Sequence, residues 1–395
     1  MNEGPAPTFS VGLIAPEFPP DIGGVETYSC ELAKALADLG HRVTVFTVPH
    51  GGGEIEIQGI PVLPLLRHRR YLDRRLLRDF PMDVWHATNA AYSWLALETG
   101  NVVVSVHGND FLRPYVEAGR PDLDRLPLLW RLRGRTRTLL MALDRQVGRW
   151  RTNRLMERSL PRVPCVVTNS RYTESVLLER FPGCEGHTSV GLVGVGGDFL
   201  RIVRAARRAD VPVRLLTVCR LSEPRKNVDL VLRALASLKD RYTFSYTLIG
   251  DGPTRGSLEA LARELGLIGL VRFAGRVPQD ELMRELSSAD LFILTSSTLP
   301  ASHEGFGIAY LEANAAGTPV LAARLAGAIE AVDEGVSGMF VDEPTVAQIQ
   351  AAIERFLSGQ AMFDPGRCRE FASRFTWRRV AEHFTACYTR VVRLR

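Results

Sequence analysis

Short apolar runs alternate with longer helical patterns along the chain, and this alternation limits what the chain can fold into. The runs at residues 11–15, 102–106, 213–218 and 291–294 each end in a proline, glycine or polar turn before a helical pattern begins. Those at 11–15 and 102–106 show no polar alternation, which is typical of strands buried on both faces of a parallel sheet. The pattern therefore predicts an α/β fold in which helices cover doubly wound parallel sheets.

The length of the chain, 395 residues with 46% hydrophobic content, is enough for two domains with sizeable cores. Four glycines interrupt the helical and strand patterns near the middle of the chain: Gly191, Gly194, Gly196 and Gly197. A second β/α alternation starts soon after them. We predict an N-terminal domain over residues 1–200, a C-terminal domain over 201–374 and a final helix within 375–395.

Composition limits where such a protein can work. No apolar run approaches the roughly 20 residues that cross a bilayer. The first residues lack the basic and apolar regions of a secretory signal. Six cysteines are scattered with no C-x-x-C pair, which argues for a reducing compartment and against a disulfide framework or zinc site. We therefore expect a cytoplasmic protein.

Two glutamates eight residues apart, Glu304 and Glu312, flank a glycine turn and an apolar run. The pattern places Glu304 in the loop after a strand and Glu312 inside the following helix. The backbone N–H groups of Gly305, Phe306 and Gly307 fall at the start of that helix, where unpaired donors and the helix dipole favour an anion. We predict a diphosphate there, with sugar hydroxyls on the carboxylates. The alternative is a helix start capped by Glu304, with Glu312 on a solvated face.

Other polar residues also follow predicted strands, where open α/β sheets bind their ligands. Arg220 and Lys226 follow the run 213–218, and two cations there would neutralise a diphosphate. His107 follows the run 102–106, and a Gly23–Gly24 pair precedes the first helix. The glycine pair does not match G-x-G-x-x-G, so a dinucleotide site is disfavoured. Each feature also has a structural explanation: surface charge, a capped strand end and a tight turn.

These elements, in this order, resemble the GT-B-fold retaining glycosyltransferases of family 4, whose E-x7-E element matches residues 304–312. The resemblance implies two facing Rossmann-like domains with a cleft between them, and a last helix, 375–395, that returns to the first. It implies that Glu304 binds the donor sugar, that residues 305–307 bind the diphosphate and that Glu312 binds ribose. It further implies that Arg220 and Lys226 grip the diphosphate, which Gly23 and Gly24 face. His107 would contact the sugar, and Gly250 and the backbone at Val277 would lie on the nucleotide side.

The implied reaction moves a hexose-like sugar from a UDP- or GDP-sugar to an acceptor hydroxyl, with retention at the anomeric carbon and no metal. The acceptor would be a glycan or a lipid-linked molecule in surface polysaccharide or glycolipid synthesis, and no nucleic acid is expected as a partner. The one D-x-D pair, Asp122 and Asp124, lies in an arginine-rich segment, and we interpret it as solvated charge. A transferase for a small soluble acceptor, a sugar-nucleotide epimerase and an inactive nucleotide-sugar-binding subunit remain as alternatives.

Charge placement suggests where the protein works. Residues 67–78 carry six arginines and one aspartate, and residues 131–162 carry ten arginines against Asp144 and Glu157. With leucines between the arginines, residues 64–80 form a candidate basic amphipathic helix, as does part of the second segment. Such helices suit an anionic membrane surface. We therefore predict peripheral binding to the inner face of the membrane, the alternative being solvated faces or an anionic soluble acceptor.

Overall fold

A computed structural model describes residues 7–20, 23–49, 55–114, 135–204 and 211–393. The chain divides into two compact units, one made of Met1–Leu192 with Trp377–Arg395 and the other of Val193–Thr376. Each unit contains one sheet with helices on it. None of the helices in the described ranges has the length and apolarity needed to cross a membrane.

The first unit contains an eight-stranded sheet in the order β3-β4-β2-β1-β5-β6-β7-β8. Its strands are β1 Ser10–Ile14, β2 Arg42–Phe46, β3 Ile55–Ile57, β4 Ile60–Leu63, β5 Val84–Ala87, β6 Val102–Val106, β7 Cys165–Thr168 and β8 Thr188–Val190. Only the β3–β4 pair among them is antiparallel. Its helices are α1 Gly24–Asp38, α2 Arg70–Asp73, α3 Arg75–Asp79, α4 Asn109–Leu112, α5 Arg135–Ser159 and α6 Arg171–Arg180, with a 3₁₀ helix at Ala90–Leu97.

The second unit contains a six-stranded parallel sheet in the order β11-β10-β9-β12-β13-β14. Its strands are β9 Val213–Val218, β10 Phe244–Ile249, β11 Val271–Gly275, β12 Leu291–Leu294, β13 Val320–Ala323 and β14 Gly338–Val341. Its helices are α7 Gly197–Arg201, α8 Val228–Ala236, α9 Arg255–Glu264, α10 Gln279–Ser288, α11 Ile308–Ala315, α12 Ala328–Ala331, α13 Val346–Leu357 and α14 Pro365–Ala372. The strand order reverses between β9 and β12, so the loops after these two strands lie where an open sheet binds ligands.

Both sheets are buried as the apolar runs predict. All residues of β6 and β12 are buried, because helices cover the two faces of each sheet. Leu215 of β9 and Leu321 of β13 share one core with Leu235 of α8 and Ile353 of α13.

The last helix, α15 Trp377–Arg393, belongs to the first unit. Phe384 packs at 4.4 Å from the ring of His86 on β5. The Tyr388 hydroxyl lies 2.8 Å from His86 Nδ1, and Ser105 Oγ lies 2.7 Å from Nε2. Burial lowers the pKa of His86 to about 3, so the ring is neutral with both nitrogens occupied. His86 therefore anchors this helix to the sheet.

The prediction of a single amphipathic helix over residues 64–80 is wrong. The segment forms two short helices, α2 and α3. The carboxylate of Asp73 is buried and accepts hydrogen bonds from the backbone N–H groups of Arg67 and Arg69, at 2.9 and 3.2 Å. It also accepts one from the Tyr92 hydroxyl at 3.0 Å. These bonds turn the backbone of the segment around the Asp73 carboxylate. The segment therefore does not form one helix with a continuous basic face.

Candidate active site

The loops after β9 and β12 meet around the carboxylate of Glu304. Lys226 Nζ lies 2.7 Å from Glu304 Oε2, although the two residues are 78 positions apart in sequence. Arg225 Nη1 approaches the same oxygen at 3.4 Å, and the Ser296 hydroxyl donates to it at 3.0 Å. Two residues predicted from sequence, Lys226 and Glu304, are therefore in direct contact, together with two that the sequence did not single out.

Asn227 fixes the relative position of these two loops. It adopts the left-handed conformation at φ +55°, which asparagine tolerates better than most residues. Its side-chain amide donates to the Thr295 carbonyl at 2.6 Å and to the Ser297 hydroxyl at 2.8 Å. The Ser297 N–H donates in turn to the Arg225 carbonyl at 2.7 Å. These bonds keep Lys226 beside the loop that contains Glu304.

Glu304 is held as a carboxylate. Its side chain is 14% exposed, and this burial alone would raise its pKa. The positive charges of Lys226 and then Arg225 outweigh burial and lower the pKa to about 2. At neutral pH Glu304 therefore accepts hydrogen bonds and has no proton to donate, which suits a residue that binds sugar hydroxyls.

Arg225, Glu223 and Ser302 complete the cluster, and sequence reasoning gave none of them a role. Arg225 Nε donates to Glu223 Oε2 at 2.6 Å and to Ser302 Oγ at 2.8 Å. The Ser302 hydroxyl donates to Glu223 at 3.0 Å. The one signal in the sequence that could have indicated this cluster was the pair of charged residues, Glu223 and Arg225, just before Lys226, which was predicted to bind the diphosphate. Arg220 lies exposed just after β9 and makes no ion pair with any residue in the described ranges.

The glycine turn before α11 depends on Gly307. Gly307 precedes the helix at φ +100°, and a Cβ there would lie 2.3 Å from the Tyr310 ring, so only glycine fits. The Phe306 side chain is buried against Phe375, with ring centroids 5.7 Å apart, so this side chain serves packing. Glu312 lies inside α11 and is partly exposed.

In the first unit, His107 directly follows β6. Its ring lies 4.5 Å from that of Tyr28 on α1, and its backbone N–H donates to Asp110 Oδ1 at 2.9 Å. Burial lowers the pKa of the ring, which also hydrogen-bonds the Thr88 carbonyl. Nε2 is buried and has no hydrogen-bond partner in the described residues. A neutral ring that donates from Nδ1 leaves Nε2 as an acceptor, the complement of a hydroxyl group.

The Gly23–Gly24 pair stands at the start of α1. A Cβ on Gly23 would lie 2.3 Å from Glu26 Oε2, so a side chain there would displace the buried carboxyl of Glu26. Around Gly24 nothing lies within 4 Å of an added Cβ. Packing against Glu26 therefore accounts for the glycine at position 23, whereas the space around Gly24 is open.

Comparison with known proteins identifies the chain. Residues 202–374 match the family described as "Glycosyl transferases group 1", and residues 22–190 match "Glycosyltransferase Family 4". The two matches together cover most of the chain. It is a family 4 glycosyltransferase.

Individual relatives support this assignment. A D-inositol 3-phosphate glycosyltransferase of Thermobispora bispora is 28% identical over 93% of this chain and 90% of its own length. A GDP-mannose-dependent alpha-(1-6)-phosphatidylinositol monomannoside mannosyltransferase of Mycolicibacterium smegmatis is 37% identical over 147 residues, 36% of this chain and 37% of that relative. The solved sucrose-phosphate synthase of Thermosynechococcus elongatus superposes with a TM-score of 0.75 at 20% identity, covering 98% of this chain and 100% of that one.

The GT-B fold and the glycosyltransferase activity predicted from the sequence are thereby confirmed. In this glycosyltransferase Gly250 has a packing role, since a Cβ there would lie 1.9 Å from the Cys219 carbonyl oxygen at φ +131°. Val277 follows β11 and is partly buried. Within the described ranges no group of three or more histidine, cysteine, aspartate or glutamate side chains could hold a metal ion. Asp122 and Asp124 lie outside those ranges.

Proposed function

We propose that this glycosyltransferase moves a hexose-like sugar from a nucleoside-diphosphate sugar to an acceptor hydroxyl, with retention and without a metal. The observation that carries the proposal is the contact of Lys226 with the ionised Glu304, next to the glycine turn that opens α11. A cation and backbone N–H groups at the start of a helix suit a diphosphate, and the carboxylate suits the sugar hydroxyls beside it. The mannosyltransferase relative, described as GDP-mannose-dependent, points to the same class of donor.

In this proposal Lys226 and Arg220 stabilise the negative charge that develops on the leaving diphosphate, helped by the N–H groups of Gly305, Phe306 and Gly307. Glu304 orients the donor sugar, Glu312 binds ribose and His107 accepts a hydrogen bond from a sugar hydroxyl through Nε2. Gly23, Gly24, Gly250 and Val277 contribute backbone at the nucleotide. Glu304 is bonded to two cations and is therefore a poor nucleophile. Retention then follows if the leaving phosphate takes the acceptor's proton on the same face of the sugar.

The acceptor class is proposed from the relatives and from one helix face. Two relatives carry names that refer to inositol 3-phosphate and to a phosphatidylinositol mannoside. In α5 the Trp150 side chain is 59% exposed, with the Arg154 guanidinium 5.5 Å from its ring centroid. An exposed tryptophan beside arginines suits the interface of an anionic membrane. We propose a lipid-linked acceptor and peripheral binding at that surface; a small soluble acceptor is the competing outcome.

The test is a panel of UDP- and GDP-sugars, first by thermal shift and then with candidate acceptors. One donor should raise the Tm, and NMR of the product should show the anomeric configuration of the donor. Inversion would contradict the proposed mechanism, and stabilisation by no donor would contradict the site. Epimerisation of a donor incubated without acceptor would favour the epimerase.

Metal independence is tested in the same assay. Since cationic side chains and backbone N–H groups are proposed to supply the positive charge, activity should survive EDTA. Complete loss on chelation, restored by Mn²⁺ or Mg²⁺, would assign that charge to a metal.

A further inference from the structure

Four charged side chains beside β9 and β12 form one balanced cluster in the second unit. The two carboxylates are Glu223 and Glu304, and the two cations are Arg225 and Lys226. Both cations contact the same oxygen, Glu304 Oε2, at 3.4 and 2.7 Å. Two negative charges face two positive charges, so an arriving diphosphate must change this pairing to gain a cation from this cluster in addition to Arg220.

The two cations are held very differently. The Arg225 side chain is 4% exposed and is tied to Glu223 and Ser302 as well as to Glu304. The Lys226 side chain is 14% exposed, and Glu304 is the only described residue to which its ammonium is hydrogen-bonded or ion-paired. Lys226 also has a flexible stem, whereas the guanidinium is a rigid fork that fits several acceptors at once. Lys226 is therefore the cation that can move.

We propose that Arg225 is a positioning residue that retains the Glu304 carboxylate in place while Lys226 transfers from Glu304 to the donor diphosphate. This inference rests on the proposed function. Glu304 and the diphosphate compete for Lys226. Arg225 lowers the free-energy cost of breaking the Lys226–Glu304 ion pair, because it remains paired with the carboxylate. Without Arg225, Lys226 would be the sole cation on a buried carboxylate, and removing it would leave the charge unpaired.

The proposal predicts opposite effects for two variants of one cluster. In Arg225→Gln, Lys226 is held more tightly by Glu304, so the Kd for free UDP or GDP should rise about tenfold, the size expected for contacting charges. In Glu304→Gln the competitor for Lys226 is removed, so the Kd should fall severalfold below that of the wild type.

The double variant Arg225→Gln/Glu304→Gln is decisive. If Arg225 acts through Glu304, the double variant binds the nucleotide as tightly as Glu304→Gln alone. If Arg225 contacts the phosphate itself, the double variant stays weaker than Glu304→Gln by the factor seen for Arg225→Gln. The second result would overturn the proposal, as would equal Kd values for the wild type and Arg225→Gln.

The experiment is titration calorimetry of the full chain with UDP and with GDP at one salt concentration. Arg225→Lys retains the charge but not the fork that meets Glu223, Ser302 and Glu304 together, so its Kd should lie between those of the wild type and Arg225→Gln. Arg233→Gln, an exposed position on α8 without an ion pair among the described residues, is the matched control and should change nothing. If Arg225→Gln does not fold, Glu304→Gln alone still tests the proposal. Unchanged or weaker nucleotide binding by Glu304→Gln would show that Glu304 and the diphosphate do not compete for Lys226. Binding of neither nucleotide by the wild type would instead refute the proposed function.

Discussion

At the scale of single residues, Lys226 is the side chain on which the proposed chemistry depends most. Lys226→Ala should lower kcat by about 10²–10³, the scale for losing one preorganised group that stabilises developing charge. The fold should survive, because Arg225 still pairs with Glu304 after the lysine is removed. Steady-state kinetics with the donor found by thermal shift would measure this.

The control is Lys34→Ala, which removes a partly exposed pair with Glu31 on α1. Such pairs contribute little to stability, so this variant should behave as wild type. Turnover by Lys226→Ala close to that of the control would contradict the role given to Lys226.

The ionisation of Glu304 gives a second prediction at this scale. Its pKa is lowered from 4.5 to about 2, so its ion pairs stabilise the fold above pH 4.5 and are lost as the pH falls toward 2. The shift corresponds to at most about 3 kcal/mol. Glu304→Gln should therefore be less stable than wild type at pH 6, and the difference in Tm should shrink between pH 4.5 and the lowest pH at which both fold. A difference that stays constant with pH would mean that Glu304 is not ion-paired.

The sequence singled out Glu304 and Lys226 as candidates because residue type and position after a strand can be read from it, and the structure places the two in contact. It could not identify Arg225, Glu223 or Ser302, since their roles arise only when the loops after β9 and β12 meet. Ser302 and Arg225 are 77 positions apart, and nothing in either segment alone indicates their hydrogen bond.

At the scale of elements, apolar runs and their turns predicted the strands well. β6, β9 and β12 coincide with the predicted runs and β1 begins one residue before its run, because strands covered on both faces are largely apolar. The prediction is wrong at residues 64–80, where the spacing of the leucines indicated one helix. The deciding interaction there is the buried carboxylate of Asp73, and side-chain bonds to the backbone leave no trace in hydrophobic periodicity.

Asp73 therefore carries the prediction at this scale. Asp73→Ala would leave the N–H groups of Arg67 and Arg69 and the Tyr92 hydroxyl without their acceptor. Each donor left without an acceptor lowers the free energy of unfolding by about 1–3 kcal/mol, so thermal or urea unfolding should show a clear loss of stability. Asp79→Ala, which removes an exposed pair with Arg78, should be nearly neutral. Equal stability of the two variants would show that Asp73 does not hold this segment.

At the scale of the whole molecule, the prediction concerns membrane binding. The structure leaves fewer candidate residues for the membrane contact than the two arginine-rich segments of the sequence suggested. The segment 67–78 does not form a basic helix face, because one of its arginines lies in α2, two lie in α3 and the other three lie outside both helices. In α5 the described exposed side chains include Val147, Trp150, Arg151, Arg154 and Arg158. An apolar and aromatic pair among arginines is the composition that inserts at an anionic interface.

Liposome flotation tests this surface. The protein should float with phosphatidylglycerol vesicles at low salt and be released by about 0.5 M salt, since each arginine near such a surface adds about 1 kcal/mol of screened attraction. Trp150→Ala and Arg154→Gln should each weaken flotation. Met362→Ala, at an 83% exposed position of the second unit, should leave it unchanged and so controls for loss of apolar surface in general. Equal recovery with phosphatidylcholine and phosphatidylglycerol, or recovery with neither, would leave the arginines of α5 as solvated charge and favour a soluble acceptor. Flotation that survives Trp150→Ala at full strength would place the membrane contact elsewhere on the molecule.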